Sequence, residues 1–154
     1  MENQFLEKAI EISLESIYRG GGPFGACVVR NNEIISLDHN TVIIDNDPTA
    51  HAEINAIRAA AKKLGKFDLS DCEIYSSTEP CPMCLSAIYW AKIPSVYFAT
   101  TRKDAEEIGF SDNWIYEEIP KSIDERKIKM IQLDKSKSLE VFEVWKNFEN
   151  KIVY

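Results

Sequence analysis

The chain has 154 residues, 45% hydrophobic and 28% charged, with a formal net charge of -7, the size and make-up of one soluble globular domain spanning residues 1–154. No apolar run approaches the length that spans a bilayer, and Met1-Glu2-Asn3-Gln4 starts neither a signal peptide nor a basic targeting segment, so a cytoplasmic location without a membrane partner is expected. The acidic balance argues against a nucleic-acid partner, which takes a basic face to grip phosphates, and four cysteines in such a chain favour metal ligation or free thiols over disulfides.

Leu6, Ala9, Ile10, Leu14 and Ile17 recur at helical spacing, so the pattern predicts a packing helix over residues 3–18. Gly20-Gly21-Gly22-Pro23-Phe24-Gly25 fits G-x-G-x-x-G by letter, yet it follows a helix and enters a strand, the reverse of a dinucleotide-binding turn. Its glycines are expected to let backbone pass close to a ligand, with Phe24 against a flat ring; a plain helix-to-strand turn explains it equally. Residues 25–30 and 33–37 read as a hairpin turning at Asn31-Asn32, which tolerate positive φ, and Cys27 reads as a core hydrophobe. In the next loop Asn40 offers one acceptor and two donors suited to the edge of a base, against the plainer alternative of a loop cap.

Asp47 as cap and Pro48 at the first helical position predict a second helix, with Ala50, Ile54, Ile57, Ala61 and Leu64 as its seam and Gly65 as its stop. On such a helix His51 falls about 60° to one side of Ile54 and Glu53 about 100° to the other, both flanking the buried face. Residues 72–77 form a strand that delivers the chain to Pro80-Cys81-Pro82-Met83-Cys84. Cysteines at i and i+3 of a helix start project to one side, prolines are tolerated there, and unpaired N–H groups favour thiolate. A strand over 96–99, mixed periodicity over 104–112, a fifth strand over 128–133 and a last helix marked by Leu139, Phe142, Trp145 and Phe148 follow. The alternation of strands and helices predicts an α/β fold with a parallel core beside the hairpin.

His51, Cys81 and Cys84 give zinc one imidazole and two thiolates and leave the fourth tetrahedral position to water, as a catalytic site requires. Glu53 is then the group that handles the proton of that water. Two readings from other classes compete. A dithiol redox protein would leave His51 and Glu53 idle, and a structural zinc site closed by Cys72 would have no need of a carboxylate.

The pairing of H-x-E with P-C-x-x-C is the signature of zinc deaminases, and with the order of elements it resembles the cytidine-deaminase-like superfamily. That resemblance implies a three-layer α-β-α sandwich around a five-stranded mixed sheet. Residues 23–26, 46–53 and 79–84 also look like tRNA adenosine deaminases, whereas residues 104–112, Ile115-Tyr116, Asn147-Phe148 and Tyr154 resemble the bacterial guanine deaminase family. The resemblance runs along nearly the whole chain and is thinnest between Lys121 and Ser138. It implies one zinc per chain on His51, Cys81 and Cys84, Glu53 as proton shuttle with Asp112 as a second catalytic group, and Phe24, Asn40, Asp112 and Tyr154 around a purine base. The implied reaction is hydrolysis of guanine to xanthine and ammonia, with guanosine or tRNA adenosine as alternative substrates. It further implies a homodimer that exchanges C-terminal segments, carrying Asp112 and Tyr154 into the partner's site.

Overall fold

In the computed structural model, which describes residues 2–154 with side chains from residue 4, a helix α1 (Glu2–Tyr18) leads into a hairpin of β1 (Gly25–Arg30) and β2 (Glu33–His39). The hairpin turns on Asn31 and Asn32 at φ of 51° and 61°, the paired left-handed conformation that a two-residue turn between twisted strands needs. A short helix α2 (Val42–Asp45), α3 (Ala52–Leu64), β3 (Glu73–Thr78), α4 (Pro82–Trp90), β4 (Val96–Thr100) and α5 (Arg102–Glu107) follow, then α6 (Asn113–Glu118), a single 3-10 turn and α7 (Ser136–Lys146). The chain forms two compact units that divide between Asn113 and Trp114.

The sheet of the first unit runs β2-β1-β3-β4, antiparallel except for the parallel pair of β3 and β4. It is a four-stranded mixed sheet rather than the expected five-stranded one. Residues 128–133 alternate as a strand should, but an alternating segment becomes a strand only with a ladder to join, and among the described residues none is offered to them.

Alternation along the strands builds a layer on each face. Ala26, Val28 and Ile74 point into a cluster with Ala52, Ala56 and Ala60 of α3 and Ile88 of α4. Cys27, Val29 and Tyr75 point the other way, onto Phe5 of α1. Each fully buried aliphatic side chain in these layers contributes about 1.5–3 kcal/mol. Tyr75 also stacks on Tyr97 of the neighbouring strand at 4.6 Å between ring centroids.

The buried face of α1 is not the expected one. Phe5, Ala9 and Ser16 are turned inward, while Ile10, Leu14 and Ile17 stay 43%, 55% and 50% exposed. The helix lies so close to β1 that a Cβ on Gly25 would stand 2.2 Å from the Ala9 carbonyl oxygen, so small residues must occupy the contact. Ser16 is held in by donating to the Asn40 carbonyl at 3.2 Å. The start of α3 differs as well. Asp47 closes a separate turn by accepting from the N–H and hydroxyl of Thr49, at 2.8 and 2.7 Å, and the helix begins only after His51.

In the second unit, Glu118 accepts from Lys121 Nζ and from the Lys127 N–H, both at 2.6 Å, which pins the turn after α6. Its apolar residues remain open to solvent: Ile131 is 77% exposed, Phe142 67%, Trp145 46% and Tyr154 73%. Among the described residues no helix is long and apolar enough to cross a membrane.

Candidate active site

Two helix starts converge here. His51 is the residue before α3 and Cys81 the residue before α4, and both have extended backbone. Pro82 at the first helical position and the bond from Glu79 N–H to the Thr100 carbonyl at 2.8 Å fix where β3 hands over to α4. The extended geometry of His51 means that its direction is not set by helical rotation from Ile54, as the sequence suggested.

His51 Nδ1 stands 3.6 Å from Cys81 Sγ and 3.5 Å from Cys84 Sγ. With Zn–S near 2.3 Å and Zn–N near 2.0–2.1 Å, a tetrahedral ion sets sulfur and nitrogen about 3.5–3.6 Å apart, so the donor set has the spacing of a zinc site. The three residues are positioned to hold one metal ion. The two sulfurs share a proton: a hydrogen bond from Cys84, aided by His51, brings the Cys81 thiol down to about 4, while the same contact and burial push Cys84 up. Its bond with Cys81 holds the His51 imidazole above the ordinary range.

Glu53, in the first turn of α3, is 6% exposed. Burial raises its carboxyl, opposed by hydrogen bonds from its own backbone N–H, the Cys84 thiol and Ser76. Ser76 donates to Glu53 Oε1 at 3.1 Å.

Asn40 lies in a loop laced to α3. Asn55 Nδ2 donates to the His39 carbonyl at 2.9 Å and to Thr41 Oγ1 at 3.0 Å, and the Thr41 N–H donates to the Ala50 carbonyl at 2.9 Å. Asn40 is 6% exposed and its Oδ1 accepts from the Val42 N–H at 3.2 Å. With Oδ1 engaged by the backbone, Nδ2 is the atom of this amide that can donate to a ligand. The glycine run serves this residue: a Cβ on Gly21 would stand 2.3 Å from the Asn40 carbonyl oxygen, and one on Gly22 3.2 Å from its Cγ. The close approach expected toward a ligand is thus, in the first place, toward Asn40.

Phe24 is half-buried, and its ring meets that of Phe110 edge-on at 4.9 Å. Asp112 belongs to the first unit and feels the charges of Arg102, Cys81 and Glu79 of its own chain, with burial as the main cause that raises its carboxyl. Arg102 is itself tied to Glu79, through its N–H at 3.1 Å and its Nε at 3.2 Å. Tyr154 lies in the second unit, 73% exposed. Sequence reasoning missed Ser76, Phe110 and the Glu79–Arg102 pair. Ser76 alone carried a signal, as the polar residue sharing a strand face with Ile74.

The profile of the cytidine and deoxycytidylate deaminase zinc-binding region matches residues 1–100. The chain belongs to this zinc-binding deaminase family. Within it, the guanine deaminase of Bacillus subtilis is 48% identical over 97% of this chain and 97% of its own length. The structure of guanine deaminase from Bacillus subtilis superposes with a TM-score of 0.97 at 47% identity, covering 100% of this chain and 99% of that one. A tRNA-specific adenosine deaminase of Aquifex aeolicus is 40% identical over 64% of this chain and 66% of its own length. The family likeness gives the fold its class: α/β, cytidine deaminase-like, built here on four strands.

Proposed function

We propose that this zinc-dependent deaminase hydrolyses guanine to xanthine and ammonia. The observation that carries the reading is a buried carboxylate, Glu53, beside three metal donors grouped within 4.8 Å of one another. Zinc held by His51, Cys81 and Cys84 would supply a water acidic enough to attack at neutral pH. Glu53 takes a proton from the attacking water as oxygen adds to C2 of the purine. The same carboxyl delivers that proton to N3 and then carries the C2 hydroxyl proton to the exocyclic amine; the C–N bond breaks, ammonia leaves, and C2 keeps the new carbonyl.

Guanine rests on two supports. The likeness to the Bacillus subtilis guanine deaminase extends over 97% of the chain and so takes in the segment beyond residue 100, while the tRNA-specific adenosine deaminase covers 64%. The polar groups also match: Asn40 has a donor for a ring acceptor, and Asp112 accepts from the N–H groups that guanine presents and adenine reverses. Asp112, near the thiolate, assists proton movement at the amine, and Phe24 with Phe110 forms an aromatic wall against the base.

The same reading makes the protein a cytoplasmic homodimer, with all four cysteines unbridged. The C-terminal segment of one copy serves the other, bringing Tyr154 over the partner's purine. The exposed apolar residues of the second unit support this, since a lone copy leaves Ile131, Phe142 and Trp145 in water. Each zinc-dependent deaminase domain is then completed by exchange. Ammonia release and xanthine formation measured across guanine, guanosine, cytosine, adenine and a tRNA anticodon stem-loop test the assignment. Guanine alone is expected to react fast, and a preference for guanosine or the stem-loop overturns it.

A further inference from the structure

Ser76 sits where the fold has no structural need of a hydroxyl. It lies in the middle of β3, in register with Ala26 of β1 and Phe98 of β4. Two residues before it Ile74 points into the aliphatic cluster with Ala52, Ala56 and Ile88, so strand alternation turns Ser76 toward the same α3 side. Ser76 is 2% exposed and Glu53 6%. The hydroxyl donates to Glu53 Oε1 at 3.1 Å. Alanine would fill the position with no loss of packing, and a polar group buried among aliphatic neighbours is kept at a cost unless its bond matters.

We propose that Ser76 is a positioning residue for Glu53: its hydroxyl, bonded to Oε1, fixes the orientation in which the carboxyl carries the proton. This rests on the reading of Glu53 as the proton carrier. A carboxylate at the start of a helix, facing an alanine-lined layer, has several rotamers of similar packing. The hydroxyl, anchored on a strand paired on both sides, selects one of them. Strand β3 also leads into the segment bearing Cys81 and Cys84, so one element sets both the metal donors and the orientation of the carboxylate. The effect belongs to the chemical step, because productive proton transfer demands near-exact placement of the carboxyl while substrate binding does not.

The test compares Ser76→Ala, Ser76→Thr and Glu53→Gln in the zinc-loaded full chain, measuring zinc content, melting temperature, kcat and KM for guanine. Loss of a hydrogen bond to a charged group predicts that Ser76→Ala lowers kcat about ten- to a hundred-fold while KM moves less than about two-fold. Zinc content stays at the parent value, the melting temperature falls by a few degrees at most, and Ser76→Thr, which restores the hydroxyl, recovers most of kcat. An unchanged kcat in Ser76→Ala, an effect on KM alone, a loss of zinc, or a Thr variant no better than Ala overturns the proposal. The underlying reading fails separately, when Glu53→Gln turns over at the parent rate.

Discussion

Cys81 Sγ lies 3.6 Å from Nδ1 of His51, although the two belong to the starts of different helices. A contact of that length between a thiolate and an imidazole, with Cys84 at 3.5 Å from the same nitrogen, leaves a tetrahedral ion in place with little rearrangement. Cys84→Ala is therefore expected to lose nearly all of the one zinc per chain. Elemental analysis of the purified variant measures it, and full occupancy would show that the donor set lies elsewhere.

Without the metal, the two sulfurs and the core thiol differ in reactivity. Cys81 is held down to about 4, while burial pushes Cys27 up to about 12. In zinc-stripped protein at pH 7, iodoacetamide is expected to label Cys81 first and to leave Cys27 untouched until unfolding. Adding zinc protects Cys81. Peptide mapping by mass spectrometry reads the order, and labelling of Cys27 ahead of Cys81 contradicts it.

Glu53→Gln keeps the shape of the side chain but cannot carry a proton. Turnover of guanine should drop about a hundred- to ten-thousand-fold with zinc still bound, the usual range for removing a general acid–base group. Rate and metal content have to be taken on the same sample.

For substrate choice, Asp112→Ala and Asn40→Ala each remove one side of the polar match. Loss of a buried hydrogen-bonding partner for the base predicts about a ten- to thousand-fold fall in kcat/KM for guanine, with little change on a base that never used that partner. A panel of purines with and without the exocyclic amine separates the two variants.

The dimer is checked by sedimentation. The wild type should sediment as two copies, and Trp145→Ser together with Ile131→Glu should shift it toward one copy and lower activity without removing zinc. A monomeric, fully active wild type rules the exchange out.

Where local chemistry settles a structure, the sequence was sufficient. Asn31-Asn32 could turn only one way between two apolar runs, and the Pro80–Cys84 segment named both its helix start and its ligands. Where contacts come from far along the chain, it was not. The inward face of α1 is decided by Ser16 reaching Asn40, and by Ala9 lying against Gly25, neither of which hydrophobic spacing can register. Asp47 satisfied its capping signal in a turn of its own, so the helix began later. Residues 128–133 have the period of a strand but depend on a partner that periodicity does not supply. Phe110 and Ser76 acquire their roles from placement alone, through an aromatic contact and a strand register.

Strand β3 is hydrogen-bonded on both sides, to β1 and to β4. A slip of one residue would swing Tyr75 to the α3 side and Ser76 to the α1 side, breaking both layers at once. The reacting end of this enzyme is thereby excluded from gradual adjustment, whether by evolution or by a protein engineer. Freedom to accept a different ring lies instead in residues 20–24 and 108–112, irregular stretches outside the sheet ladder. Libraries confined to those two stretches should yield altered base preference at undiminished metal content, and libraries in β3 should yield mostly misfolded chains.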